Sequence, residues 1–146
     1  MTVAAPDPFD LERFLPAQKD IYMDAIQGLR SGHKRTHWMW FIFPQLDGLG
    51  TSATARCYAI NSLEEARAYL AHPILGARLM ECTTTVNRLQ GRTALQIFGA
   101  PDHMKFCSSM TLFERAGSHT EFTFALEKYC NGRDPVTLKL LQGIQG

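Results

Sequence analysis

The chain has 146 residues, of which 45% are hydrophobic and 20% are charged, and its formal net charge is +1 at pH 7. This balance excludes a largely disordered chain, and the near-zero net charge argues against a nucleic-acid-binding protein, which needs a basic surface to hold phosphates. The length fits one domain with a sizeable core, so we predict a single globular domain over residues 1–146, with a loose N-terminal tail at residues 1–8.

The first helical signals lie close to the N-terminus. Asp7 or Asp10 is a candidate N-cap for a short first helix. A second helix has Pro16 in its first turn and carries apolar residues at three- and four-residue intervals through Leu29, and it ends at Ser31-Gly32.

The rest of the chain gives a series of helix starts and stops. A short buried helix in the tryptophan-rich stretch ends at Pro44, and the capping-box pattern at residues 62–65 begins a helix that His72-Pro73 interrupts. Further helices are predicted over residues 75–91, 93–98, 102–115 and 120–130, and after Pro135. Since no alternating strand pattern is strong, we predict an all-α fold, an irregular single-domain array of about 7–9 short helices rather than a four-helix bundle.

The same sequence excludes membrane insertion and argues against a metal site. The longest apolar run, residues 38–43, is far shorter than the roughly 20 residues of a membrane-spanning helix. The four cysteines are widely spaced without a C-x-x-C pair, which argues against a metal site. Their apolar neighbours and the lack of a signal-peptide pattern predict buried, reduced thiols in a cytoplasmic protein. These cysteines are Cys57, Cys82, Cys107 and Cys130.

Polar residues around the tryptophan-rich stretch are candidates for a site, because they should lie at the rim of a buried helix. His37 is placed for acid–base work, or it is a structural, capping histidine. Arg35 can grip a phosphate or carboxylate, or it belongs to a solvated basic patch. Trp38 and Trp40 are two positions apart, so at most one can stack on a ligand, and both can instead fill the core.

The glycine turn at residues 48–52 is a second candidate. Gly48 and Gly50, followed by Ser52 and a predicted short helix, would let backbone N–H groups approach a phosphate. The alternative is a tight turn that needs a positive φ at Gly48 or Gly50. No strand precedes the turn and a third glycine is missing, so a dinucleotide-binding fingerprint is rejected.

A third candidate is the segment of residues 105–113, where a helix suited to burial carries hydroxyl groups and a lysine. Lys105 is three positions from Ser108 and four from Ser109, so the lysine shares a helix face with a serine, the spacing of a serine–lysine nucleophile pair. The alternative is close helix packing through small residues, since neither a third orienting group nor an oxyanion hole is visible.

The motifs of the chain resemble those of a bacterial family that carries a domain of unknown function, number eighteen-ten, some of whose members bear a calpastatin label. The matching pieces are HWMWFIFPQ at residues 37–45, GLGTS at 48–52, YAINSLEEA at 58–66, HPILGARL at 72–79 and SSMTLF at 108–113. The resemblance covers most of residues 18–141 and implies an all-helical fold, but it implies no activity. The chain departs from the family pattern at Phe106-Cys107, where a basic or polar residue is expected, which argues against a strongly anionic ligand at that spot. Calpastatin-type inhibitors are long, disordered repeat chains, so that label does not fit.

Together these features predict a helical protein with a pocket for a small phosphorylated or nucleotide-like ligand, without a cofactor or a metal. Whether the protein is an enzyme stays open; if it is, the catalytic residues are His37, Lys105 and Ser108, with Arg35 assisting Lys105 in charge stabilisation. The predicted ligand-binding residues are Arg35, Trp38, Gln45, Gly48, Gly50, Ser52 and Ser109. The alternative function is a protein-interaction module or a homo-oligomer such as a homodimer, with the aromatic segment as its interface.

Overall fold

The computed structural model describes residues 7–117 and 119–145, where ten α-helices and no strand occur. Part of the predicted tail, residues 1–6, lies outside the described residues. The helices are α1 (Phe14–Lys19), α2 (Tyr22–Arg30), α3 (Met39–Ile42), α4 (Ala53–Cys57), α5 (Leu63–Ala71), α6 (Leu75–Arg88), α7 (Ala94–Phe98), α8 (Asp102–Ala116), α9 (Thr120–Ala125) and α10 (Pro135–Gln145). A 3-10 turn, Leu11–Arg13, precedes α1, and a π-helical turn, Leu126–Cys130, continues α9. The prediction of an all-α, irregular helical array is confirmed.

The helix that the sequence predicts from Pro16 through Leu29 is instead two helices, α1 and α2, with the chain turning at Asp20. The break between the two helices results from their tertiary contacts. Gln18 of α1 is buried and donates to the Phe41 backbone carbonyl at 2.6 Å, whereas α2 must direct its own apolar face against α6. One straight helix cannot meet both demands.

Helix α8 is the centre of the molecule. It packs against α5, α7, α9 and α10, and its residues from Ser108 to Phe113 are all buried. Its Phe106 ring stacks on Phe98 at 4.6 Å between centroids and meets the edge of Phe43 at 5.1 Å. Aromatic pairs of this kind add to the free energy of burial, so the contact of Phe98 with Phe106 helps to hold the short helix α7 against α8.

A polar cluster ties the N-terminal turn to the start of α5; we call Arg13, Asn61 and Glu65 the Arg13–Glu65 cluster. The guanidinium of Arg13 donates to Glu65 Oε2 at 2.8 Å and also to the backbone carbonyls of Phe9, Asp10, Cys57 and Ala59. The other carboxylate oxygen, Glu65 Oε1, accepts from the backbone and side-chain N–H groups of Asn61. Ser62 caps α5 as predicted, by accepting from the Glu65 backbone N–H at 3.0 Å, but the Glu65 side chain is taken up by this cluster instead of completing a capping box.

The prediction of four buried, reduced cysteines is wrong for three of them. Cys107 of α8 and Cys130 at the end of the π-helical turn form a disulfide, with their Cα atoms 5.8 Å apart, and Cys57 is exposed. Only Cys82 matches the prediction, and its burial raises the pKa of the thiol to about 12. Apolar neighbours in sequence do not reveal which cysteines the fold brings together, because Cys107 and Cys130 are 23 positions apart.

None of the helices in the described ranges is long and apolar enough to cross a membrane.

Candidate functional site

One surface cleft, with a volume of about 440 Å³, gathers residues from four separate parts of the chain. We call it the Lys105 cleft. It lies between the end of the tryptophan-rich stretch, the glycine turn with α4, the start of α8 and the start of α10. The lining residues are Trp40, Gln45, Leu49, Gly50, Thr51, Ser52, Ala55, Pro101, Met104, Lys105, Ser108, Asp134 and Val136.

The glycine turn is held against the body of the protein by a short parallel bridge between Leu46 and Ile60. Ile60 donates its N–H to the Gln45 carbonyl at 2.8 Å, which fixes the backbone where the turn begins. Gly48 has a φ of +103°, so the alternative of a turn that requires glycine is confirmed at that position. A Cβ atom at Gly50 would lie 2.5 Å from the Cβ of Ala55, so glycine here permits the turn to pack on α4.

Lys105 carries the positive charge of the cleft. Its Nζ lies 4.4 Å from the centroid of the Trp40 ring and 3.1 Å from Asp102 Oδ1, while Lys34 Nζ lies 2.8 Å from Asp102 Oδ2. Burial acts to raise the pKa of Asp102, but hydrogen bonds from the two lysines outweigh it and hold that pKa below its ordinary value. Two lysines share one carboxylate, so the trio keeps a net charge of +1, and Lys105 is its member on the cleft.

Ser108 and Asp134 form the other polar end of the cleft. The Ser108 hydroxyl lies 3.1 Å from the Met104 carbonyl and 3.3 Å from Asp134 Oδ2. The same Asp134 oxygen accepts from the Thr137 backbone N–H at 3.0 Å and from its hydroxyl at 2.6 Å, so Asp134 caps α10. Ser108 makes no hydrogen bond to Lys105 among the described residues, and the nucleophile pair suggested by their spacing is not assembled.

The structure brings five of the sequence-predicted site residues to this cleft: Gln45, Gly50, Ser52, Lys105 and Ser108. His37 and Arg35 are exposed elsewhere and do not line it. Trp38 is in the core at 1% exposure, and Ser109 is fully buried. Gly48 belongs to the turn but not to the lining, and a Cβ there would face Leu140.

Sequence reasoning missed Asp134, and of the two tryptophans it considered it placed Trp38 in the site, whereas the structure places Trp40 there. The sequence rule that Trp38 and Trp40 occupy different faces is right, but α3 has only four residues and packing alone decides which tryptophan enters the core. Asp134 did carry a signal, because an aspartate directly before a proline is typical of an N-cap followed by the first helical residue. Asp102 and Lys105 are three apart on one helix, a spacing that also predicts their ion pair.

Two buried polar atoms near these segments lack a hydrogen-bond partner among the described residues, Trp38 Nε1 and Ser109 Oγ. Neither residue lines the Lys105 cleft. Their orphaned groups therefore say nothing about a ligand there.

Two other clefts are larger, with volumes of about 490 Å³ between α6 and α9 and about 650 Å³ between α2 and α6. Each is lined by only two helices and the residues directly after them, and the clefts share Thr84 and Arg88. Volume alone would favour them. We favour the Lys105 cleft because it combines a lysine on an aromatic ring with hydrogen-bonding groups from distant segments, which is the usual composition of a ligand site.

Comparisons with known proteins give a family but no activity. None of the curated proteins matches the chain. The chain is similar to the conserved hypothetical protein Rv1873 from Mycobacterium tuberculosis, whose crystal structure superimposes with a TM-score of 0.92. The two are 55% identical, and the match covers 93% of this chain and 99% of that one. A family model described as "protein of unknown function (DUF1810)" matches residues 8–141, and the chain therefore belongs to this family, as its motifs indicated.

Proposed function

We propose that the protein binds a small phosphorylated or nucleotide-like ligand in the Lys105 cleft. The observation that carries the proposal is convergence: Gln45, the turn at Gly50 and Lys105 line one cleft, although Gln45 and Lys105 are 60 positions apart. Lys105 lies on α8, whereas Gln45 lies in the segment between α3 and α4, so the fold has to bring the two segments together to form the cleft. Ligand binding gives that arrangement a reason.

An anionic group suits the lysine side of the cleft. The trio of Lys34, Asp102 and Lys105 has an excess of one positive charge. The backbone N–H groups of Gly50 and Thr51 donate to no acceptor among the described residues, and neither does the side-chain amide of Gln45. Hydrogen bonds to an anion are stronger than neutral ones, so these donors can add to the attraction of Lys105 for a phosphate.

The proposal concerns binding rather than catalysis. His37, the predicted general acid–base, is exposed outside the lining, and no histidine is among the cleft residues. The Ser108 hydroxyl is engaged with a backbone carbonyl and Asp134. The cleft thus offers charge and hydrogen-bond donors without an activated nucleophile.

The alternative, an interface made by the aromatic segment, receives less support. Trp38, Met39, Ile42 and Phe43 are at most 1% exposed and belong to the core. Of the half-buried members, Trp40 faces the cleft and Phe41 packs edge-on against Tyr58 at 4.8 Å. A homodimer stays a prediction, and it would need a different surface.

The test is a thermal-shift screen of the purified protein against inorganic phosphate, sugar phosphates, ADP-ribose and NAD. A ligand at one hundred times its Kd should stabilise the fold by about 2.7 kcal/mol and raise Tm by roughly 5–10 °C. Lys105→Met should abolish most of the shift, because it removes the cation of the cleft. Two variants serve as controls, Lys19→Met on an exposed position of α1 and His37→Ala, and both should respond like the wild type.

Two results would overturn the proposal. One is a full shift in Lys105→Met, which would place the ligand elsewhere. The other is the absence of a shift with every compound.

A further inference from the structure

Building on the proposed function, we infer that the ligand is a phosphorylated polyol, a sugar phosphate or the ribose phosphate part of a nucleotide, with its hydroxyl groups bound by Asp134. The two oxygens of this carboxylate are used very differently. Oδ2 receives the three hydrogen bonds that cap α10 and engage Ser108. Oδ1 receives none from the residues that the structure describes, although Asp134 is half-buried and lines the cleft.

The separation of the two ends of the cleft suits a small ligand. Lys105 and Ser108 are three residues apart on α8, which corresponds to about 4.5 Å along the helix axis. Ser108 is in turn hydrogen-bonded to Asp134. A phosphate at Lys105 and a hydroxyl at Asp134 can therefore belong to one molecule in which a few carbon atoms separate them.

Electrostatics favour a neutral donor at Asp134 over an ammonium group. The carboxylate is already stabilised by its capping hydrogen bonds and by the positive end of α10, an 11-residue helix. A cationic group would meet that helix end and the charge of Lys105. A hydroxyl group is neutral, so neither the helix end nor Lys105 repels it. It can donate to an ionised oxygen, which makes a strong hydrogen bond.

The apolar part of the lining also fits a sugar. Met104 and Val136 are 63% and 52% exposed and flank the polar groups of the cleft. They offer surface against which the C–H groups of a sugar ring can pack. A polyol phosphate combines these three features: an anion, hydroxyl donors and C–H faces.

The test is isothermal titration calorimetry with three probes: ribose 5-phosphate, inorganic phosphate and phosphoethanolamine. The main variant is Asp134→Ser, because serine caps a helix about as well as aspartate but has a single oxygen, leaving none for the ligand. Asp134→Asn is the second variant; it keeps the cap and removes the charge. Thr137→Ser, which keeps a hydroxyl at the capped turn, controls for disturbance of α10.

We expect Asp134→Ser to weaken ribose 5-phosphate about 10- to 100-fold while inorganic phosphate binds as before or more tightly, since a nearby negative charge is removed. Asp134→Asn should weaken it less, because the amide can still hydrogen-bond a hydroxyl, and Thr137→Ser should bind like the wild type. Unchanged affinity of Asp134→Ser for ribose 5-phosphate would overturn the inference and leave the proposed function standing. So would an equal loss for both phosphates, or tighter binding of phosphoethanolamine than of ribose 5-phosphate by the wild type. If none of the three probes binds the wild type and the wider screen is also negative, the proposed function itself fails, and this inference with it.

Discussion

The Arg13–Glu65 cluster and the Lys105 cleft are both polar, but they treat their hydrogen-bonding groups in opposite ways. In the cluster, Arg13 donates to five acceptors and both oxygens of Glu65, itself 2% exposed, are occupied. In the cleft, the Gln45 amide and Asp134 Oδ1 have no partner among the described residues. All the carboxylate oxygens of the Arg13–Glu65 cluster already have hydrogen-bond partners, whereas the Lys105 cleft keeps unpaired groups that can bind a ligand. The comparison separates polar groups that support the fold from polar groups available for binding.

The largest expected effect is a loss of stability caused by a substitution in the Arg13–Glu65 cluster. Glu65→Ala should lower the free energy of unfolding by about 3–5 kcal/mol, because it leaves the guanidinium of Arg13 and the N–H groups of Asn61 without their carboxylate. Chemical denaturation measures the change. Glu64→Ala, at the exposed neighbouring position, should stay within about 0.5 kcal/mol of the wild type. Equal stability of the two variants would contradict a supporting role for the cluster.

The disulfide between α8 and the π-helical turn is a second feature that we expect to stabilise the fold without taking part in ligand binding. Replacing both Cys107 and Cys130 by serine should cost about 3 kcal/mol, since the cross-link closes a loop spanning 23 positions and restricts the unfolded chain. Reduction of the wild type by a dithiol should have the same effect on its denaturation midpoint. Cys57→Ser is the matched control, because this thiol is exposed and unpaired in the structure. A double variant as stable as this control would show that the cross-link contributes nothing.

In the Lys105 cleft, a substitution should change the affinity for a ligand and leave the stability of the fold almost unchanged. Gln45→Ala should weaken a phosphorylated ligand about 3- to 10-fold, the value of one hydrogen bond, and shift the free energy of unfolding by less than about 1 kcal/mol. Gln27→Ala, on the exposed face of α2, is the control and should change neither quantity. Calorimetric titration and denaturation of the same samples give both numbers. A large loss of stability in Gln45→Ala would show that this residue supports the fold, like the residues of the Arg13–Glu65 cluster.

The smallest effect concerns pH and Asp102. Its pKa is lowered in the folded protein, so the carboxylate stabilises the fold fully above its ordinary value of 3.8, and this contribution is lost as the pH falls toward the folded pKa. The difference in stability between the wild type and Asp102→Asn should therefore shrink below that pH. Denaturation at pH 7 and at pH 3 measures it, and the pair with Lys105 is partly exposed, so the effect is small. A difference that grows on acidification would contradict the pairing.

Much of the fold could be predicted because its helix boundaries are marked locally. Pro44 and the pair His72-Pro73 stop helices where the sequence indicates, and Ser62 caps α5. These signals act over a few residues, so they need no knowledge of the tertiary structure. The break between α1 and α2 was missed because it arises from the buried contacts of Gln18 with Phe41 and Tyr69, which are distant in sequence.

The candidate site was predicted only in part for the same reason. Gln45, Lys105 and Ser108 were found because polar residues stand out on apolar segments, and the fold does bring them to one cleft. His37 and Arg35 satisfied the same criterion yet lie elsewhere, since they precede α3 and the sequence alone does not show which way this non-helical segment faces. The disulfide partners could not be identified from the sequence, because their pairing depends on the tertiary contact between α8 and the π-helical turn rather than on composition.

A two-dimensional ¹H–¹⁵N NMR titration shows residue by residue whether Lys105 and the unpaired hydrogen-bond donors of the Lys105 cleft bind an anionic ligand. We expect ribose 5-phosphate to shift the backbone amide signals of Gly50, Thr51 and Lys105 and the side-chain amide signal of Gln45, while the signals of Thr84 and Arg88 in the two larger clefts stay unchanged. Shifts centred on Thr84 and Arg88, or no shifts at all, would contradict it.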